Sequence, residues 1–132
     1  GGVAVVGSQR ERAQVGPLLE LAASDSRVVD LVGATSVETL MGVIERSSLV
    51  IASDSAALHM AVGFNRPIVA LFGPTRVDLV GPFRRSNDVL QHIEPGDTMD
   101  HKNAAAGRLL MERIGIDEVL AAASSRLGAR AQ

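Results

Sequence analysis

Four short apolar runs, Val3 to Val6, Val28 to Leu31, Leu49 to Ala52 and Ile68 to Phe72, most constrain what this chain can become. They are rich in Val, Ile and Leu and do not alternate with polar residues. A strand with one solvated face alternates, whereas a strand covered on both faces of a parallel sheet need not. Segments with helical spacing lie between the runs. Glu11 to Ala23 sets Val15, Leu18, Leu19 and Ala22 on one face, and Val37 to Arg46 does the same with Val37, Leu40, Met41 and Ile44. Ala56 to Val62 is almost wholly apolar, with Gly63 as its C-terminal stop. Strand and helix alternating about every 20 residues predict an α/β fold, a doubly wound parallel sheet.

The pattern changes after Phe72. Residues 73–103 contain Gly73-Pro74, Gly81-Pro82 and Pro95-Gly96 and read as a long loop with one strand at Val89 to Gln91. Ala104 to Ile114 reads as a helix, and Asp117 as the N-cap of a last helix, Glu118 to Leu127, closed by Gly128. The expectation is one domain over residues 1–128 and a frayed tail over 129–132.

Composition removes several function classes. The 132 residues include no Cys, so disulfides, thiol catalysis and Cys-ligated metals are excluded. The formal charge is −2, with basic residues spread along the chain, which is not the electrostatic footprint of a nucleic-acid binder. No stretch approaches the roughly 18–20 apolar residues of a transmembrane helix. The chain opens Gly1-Gly2-Val3, with no initiator Met and no leader pattern, and reads as a piece of a longer protein.

In an open α/β sheet, ligands bind beyond the carboxyl ends of the strands, where loops enter helix N-termini and unpaired N–H groups attract anions. Four places qualify: Gly7-Ser8-Gln9-Arg10, Gly33-Ala34-Thr35-Ser36, Ser53-Asp54-Ser55-Ala56 and Gly73-Pro74-Thr75. The third is the sharpest, because a strand runs through Asp54-Ser55 into a helix whose fourth residue is His59. Taken singly, each is also explained by capping: Asp or Ser before an apolar helix is worth about 1 kcal/mol as a cap. Thr35-Ser36-x-Glu38 is close to a capping box. No Gly-x-Gly-x-x-Gly follows a strand and no Gly-Lys-Ser/Thr occurs, which disfavours dinucleotide oxidoreductases and P-loop NTPases. The run His92-x-Glu94-x-x-Asp97-x-x-Asp100-His101 reads as a solvated loop rather than a metal site.

The order of the motifs carries more than any one of them. Asp54-Ser55-Ala56-Ala57-Leu58-His59 followed, one helix later, by Leu71-Phe72-Gly73-Pro74-Thr75 resembles glycosyltransferase family 9, which contains the ADP-heptose:lipopolysaccharide heptosyltransferases. The likeness covers residues 3–82 well and continues weakly to Ile114-Gly115-Ile116-Asp117-Glu118-Val119. The family usually has Gly where this chain has Ala56.

That resemblance implies the GT-B architecture, two Rossmann-like domains facing a cleft, of which this chain matches only the second. The missing N-terminal domain would bind a glycan acceptor and supply an Asp general base, so no catalytic residue is expected here and the isolated chain should be inactive. The implied substrate is a nucleotide-sugar, ADP-heptose, used with inversion, without a metal and without a cofactor. Ser55, Ala56 and Ala57 would meet the diphosphate, Asp54 the sugar hydroxyls, and His59 would donate or orient nearby. Gly33, Ala34 and Thr35 would approach adenine and ribose, with Glu11 a further candidate for the ribose. The implied setting is bacterial envelope synthesis in the cytoplasm, peripheral at the inner face of the cytoplasmic membrane, and a truncated chain would tend to self-associate. The alternative is a non-catalytic nucleotide-binding or oligomerisation module, which Ala56 favours.

Overall fold

A computed structural model describes residues 1–130. The chain divides into two compact units, residues 1–42 and 43 onward.

In the first unit, β1 (Val3–Val5) pairs in parallel with β2 (Val28–Asp30), in the register Val3 to Val28 and Val5 to Asp30. The intervening helical segment is broken, contrary to the expectation of one helix over Glu11 to Ala23. A 3₁₀ turn occupies Gln9–Gln14, and α1 runs Gly16–Ser24. Pro17 is the cause. Its missing N–H is harmless in the first turn of a helix but would remove a hydrogen bond from the interior of a longer one. Val32 is the one fully buried apolar side chain of this unit among the described residues.

Arg12 staples the unit. Its guanidinium donates to both carboxylate oxygens of Asp30 at 3.2 and 2.7 Å and to the Val32 carbonyl at 3.0 Å, while the Val32 amide donates to Asp30 at 2.9 Å. The Arg12 bonds, then the Val32 amide, hold the Asp30 carboxyl below its ordinary range. Folding therefore favours the charged form. The contribution is complete above the unfolded-state value of about 3.9 and is lost as pH falls through the lower folded value. Melting temperature followed from pH 7 to 2.5 should fall in acid, and Asp30→Asn should start lower and fall less steeply. Parallel acid limbs in the two proteins would refute this account.

The second unit holds the main core. After α2 (Val37–Arg46), which crosses the boundary between the units, β3 (Val50–Ser53), β4 (Ile68–Leu71) and β5 (Val89–Leu90) form a three-stranded parallel sheet with β4 in the middle. Central position explains the burial of β4: Ile68, Val69 and Ala70 are all fully buried, together with Phe72, Leu58 and Leu110. Helix α3 (Ala56–Gly63) connects β3 to β4 and buries Leu58 and Ala61. The parallel pairing expected from non-alternating apolar runs is what both units show.

The stretch 73–103 has more structure than Gly and Pro spacing predicts. A one-turn helix, α4 (Val77–Val80), and a 3₁₀ turn at Ser86–Asp88 precede β5. Gly81 lets that turn close, because a Cβ there would collide with the Val77 carbonyl. The acidic loop is anchored rather than merely solvated. Arg113 binds Asp97 at 2.6 and 3.0 Å, and His92 lies 2.8 Å from Glu118. Helix α5 (Ala104–Glu112) follows, capped by the Asn103 side chain. The last helix, α6 (Ile116–Arg130), starts ahead of the expected cap: Asp117 and Glu118 lie in its first turn, where their charge suits the helix dipole. It also passes through Gly128, which does not stop it. Ala129 and Arg130 are thus helical, and the rest of the expected frayed tail, residues 131–132, lies outside the described residues.

Candidate functional site

Parallel register gathers the loops singled out from sequence into two groups, one in each unit. In the first, the Gly33 amide donates to the Gly7 carbonyl at 2.8 Å, so the loops after β1 and β2 lie side by side at the carboxyl end of their ladder. Gly33 has φ +73°, in the left-handed region, and a Cβ there would run into Gln9. Ser36 caps α2 by accepting from the Thr39 amide at 3.1 Å; the partner three residues on is Thr39 rather than Glu38. Gly33 and Ala34 are exposed, and Thr35 is half-buried.

Glu11 is also at this end, but one of its oxygens is committed. Oε2 accepts from both the Ser8 amide at 2.6 Å and the Ser8 hydroxyl at 2.7 Å. Those bonds, the amide first, hold its carboxyl below the usual glutamate range. Nothing local in the sequence marks Asp30, at the end of β2. Its carboxylate is engaged by Arg12 and Val32, 18 and 2 residues away, and only the first of these needs the fold to bring it near.

In the second unit, Ser53 pairs with Leu71 and Leu71 with Leu90, which sets Asp54-Ser55, Gly73-Pro74-Thr75 and Gln91 at one end of the sheet. Ser55 is the N-cap residue of α3 in extended conformation, and its side chain makes no capping hydrogen bond. The amides of Ala56 and Ala57 open the helix and have no intrahelical acceptor. Asp54 Oδ1 and His59 Nε2 are 3.7 Å apart, beyond hydrogen bonding but within ion-pair reach, with side chains 36% and 49% exposed. The two are thus open to a ligand and adjacent to the unpaired amides. Such an arrangement can hold an anion on N–H dipoles while presenting one carboxylate and one imidazole to a polar group beside it.

Ala56 sits here as an ordinary first helical residue. The left-handed non-glycine residues among those described are Asn65 and Arg84, so the helix start does not require a glycine at position 56.

Gly73 differs from what its sequence context implied. It is buried, and its missing side chain makes room for Met111 and the Gly107 carbonyl of α5 rather than for a ligand. Gln91 then fixes the loop from the other side, donating from Nε2 to the carbonyls of Gly73 at 2.8 Å and Thr75 at 2.9 Å. Nothing local in the sequence marks Gln91 for this role; its partners lie 16–18 residues away. Among the described residues no three His, Asp or Glu side chains come together as a cation site.

Residues 2–107 match the family model of glycosyltransferase family 9 (heptosyltransferase). Lipooligosaccharide heptosyltransferase 2 of Haemophilus influenzae is 32% identical over 66 residues, half of this chain and 19% of that protein. Lipopolysaccharide heptosyltransferase 2 of Escherichia coli K12 is 30% identical over 78 residues, 59% of this chain and 22% of that protein. The solved structure of E. coli ADP-heptose lps heptosyltransferase II superposes with a TM-score of 0.76 at 23% identity, covering 99% of this chain and 38% of that one. That superposition establishes a Rossmann-like α/β fold of the GT-B kind. The chain thus spans about a fifth of the length of its curated relatives and over a third of the solved one. With four-fifths of its length matched by the family, its strand order and its Asp54–His59 loop in place, the chain belongs to glycosyltransferase family 9, as a partial heptosyltransferase-family domain.

Proposed function

We propose that residues 1–128 are the C-terminal, donor-binding domain of an inverting heptosyltransferase that takes heptose from ADP-heptose to a lipopolysaccharide-type acceptor. The observation that carries the reading is the open end of α3, where unpaired amides of Ala56 and Ala57 stand beside Asp54 and His59, 3.7 Å apart. As the sugar C1–O bond breaks, negative charge builds on the departing diphosphate. Preorganised N–H dipoles at a helix start meet that charge without reorganising. Ser55, Ala56 and Ala57 take the phosphates in this reading, with the uncommitted Ser55 hydroxyl as one more donor. Asp54 holds sugar hydroxyls and His59 orients or donates beside it. Gly33, Ala34 and Thr35 approach the nucleoside, and Glu11 reaches the ribose through the oxygen that Ser8 does not use. No metal enters this scheme.

The acceptor site and the general base belong to a preceding domain outside this chain, so the 132 residues alone do not turn over. Self-association is expected of the isolated chain, since β1 and β3 each pair on one side only among the described residues and carry the exposed Val3 and Ile51. The working place is the cytoplasm, at the inner face of the cytoplasmic membrane. No helix of the described residues is long and apolar enough to cross a membrane.

A non-catalytic module is the second reading, and Ala56 in place of the usual Gly is what favours it. The ordinary helical backbone at that position weakens the objection, because the added methyl costs no strain. Amide shifts on titration with ADP, UDP, GDP and NAD decide between them. Selective ADP shifts at Thr35, Ser55 and Ala56 are expected. UDP or GDP shifts at the same amides would change the donor, and silence in the full-length protein would support the module.

A further inference from the structure

At the carboxyl end of the β1–β2 ladder, most polar groups are already committed to the protein itself. The Gly33 amide donates to the Gly7 carbonyl at 2.8 Å, and the Ala34 amide to the Leu31 carbonyl at 3.1 Å. The Ser8 hydroxyl donates to Glu11, Arg12 and Asp30 hold each other, and the Ser36 hydroxyl caps α2. Three side-chain groups remain without a hydrogen bond or ion pair among the described residues: the Gln9 carboxamide, the Arg10 guanidinium and the Thr35 hydroxyl. They are not equivalent. A guanidinium only donates and a hydroxyl is a single group, whereas a carboxamide presents one acceptor and one donor side by side in a plane.

Gln9 is also held in place. It opens the 3₁₀ turn Gln9–Gln14, which the Ser8–Glu11 bonds pin at 2.6 and 2.7 Å. Its side chain lies across the bare backbone of Gly33. A Cβ on Gly33 would sit 3.1 Å from Gln9 Cα and 3.2 Å from Gln9 Cβ, and would overlap Gln9 Oε1. Gly33 therefore serves twice, by taking φ +73° and by leaving room for the Gln9 side chain. The carboxamide is nonetheless on an exposed residue, so it is seated against the protein and open to a ligand.

Adenine offers the matching edge. Its N6 amino group donates, and the ring nitrogen beside it accepts. A glutamine carboxamide meets such an edge with two parallel hydrogen bonds, a contact that discriminates between bases by roughly tenfold or more. We infer that Gln9 is the base-reading residue of this domain, taking the N6-amino edge of adenine on its carboxamide while Gly33 forms the floor beneath it. The inference rests on the reading that the nucleoside meets Gly33, Ala34 and Thr35, and it adds the side chain that selects the base there.

The test is calorimetric titration of the full-length protein with ADP and with purine riboside 5′-diphosphate, which lacks only the 6-amino group. The wild type should bind ADP at least about fivefold more tightly, the effect of one hydrogen bond. Gln9→Ala should bring that ratio to within about twofold of unity, chiefly by weakening ADP. Gln9→Glu keeps an acceptor for N6–H but loses the donor to the ring nitrogen. It should bind both diphosphates more weakly and still prefer ADP. Because Gln9 is exposed, both variants should melt within about 2 °C of the wild type. A wild-type ratio near unity overturns the inference. So does a wild-type ratio that survives in Gln9→Ala, and in either case diphosphate binding would leave the nucleotide site itself standing. Failure of both diphosphates to bind the wild type would overturn the inference and the nucleotide site together.

Discussion

In the complete enzyme, Asp54→Ala and His59→Ala are each expected to cut turnover by at least about tenfold while the protein stays folded. Neither side chain is buried, so neither substitution leaves a cavity or an orphaned polar group. Exposed changes of this kind usually shift stability by no more than about 0.5 kcal/mol. Asp54→Ala should raise KM for the sugar nucleotide as well as lower kcat, since a carboxylate on sugar hydroxyls binds the ground state and holds the sugar more strongly as positive charge develops at C1 in the transition state. His59→Ala should act mainly on kcat if the imidazole meets charge that develops on the leaving group. Wild-type rates in both variants would sink the assignment. A loss of thermal stability matching the loss of rate would turn the pair into a structural feature of the α3 start.

The largest effect on stability is expected at Phe72→Ala. Phe72 is 1% exposed at the end of β4, among the largest fully buried side chains of the second unit. Removing a ring from such a site typically costs about 3–5 kcal/mol, because the transfer term adds to the cavity left behind. For a domain of this size, between the small and mid-sized classes, each kcal/mol lowers Tm by roughly 3–5 °C, so the unfolding midpoint should drop by about 10 °C or more. Val3→Ala, on a side chain 60% exposed, supplies the contrast and should change the midpoint little. If Phe72→Ala melts within about 2 °C of the wild type, β4 is not the spine of this core.

Much of the second unit was legible because the relevant forces act locally. Ile68 to Phe72 contains no polar residue, and a run that cannot face water on either side has to lie inside a sheet. Helix α2 was placed at Val37–Arg46 from spacing alone, since an amphipathic stripe between a Ser cap and a polar exit leaves little freedom. The loop Asp54-Ser55 was found because strand ends in such folds point at ligands. The family was legible in the order of the motifs, not in any residue singly.

Elsewhere local signals were overridden. Val15, Leu18, Leu19 and Ala22 share a helical face on paper, yet Pro17 divides the segment because its missing N–H belongs in a first turn. Gly128 carried a stop signal that α6 ignores, and a lone glycine costs a helix only about 1 kcal/mol, which packing or neighbouring turns can outweigh. Gly73 belongs to one of the four strand-end loops open to ligands by sequence, yet the room its missing side chain leaves is taken by Met111.

The sequence by itself determined the α/β class, the parallel pairing and the position of the Asp54–His59 loop, because hydrophobic periodicity and turn chemistry are read over a few neighbouring residues. Only the tertiary structure decided the pairings of Arg12 with Asp30, Arg113 with Asp97, His92 with Glu118, and Gln91 with the Gly73 and Thr75 carbonyls. These partners are 16–26 residues apart, and a charge or an amide carries no local mark of the group it will meet until the fold brings each pair together.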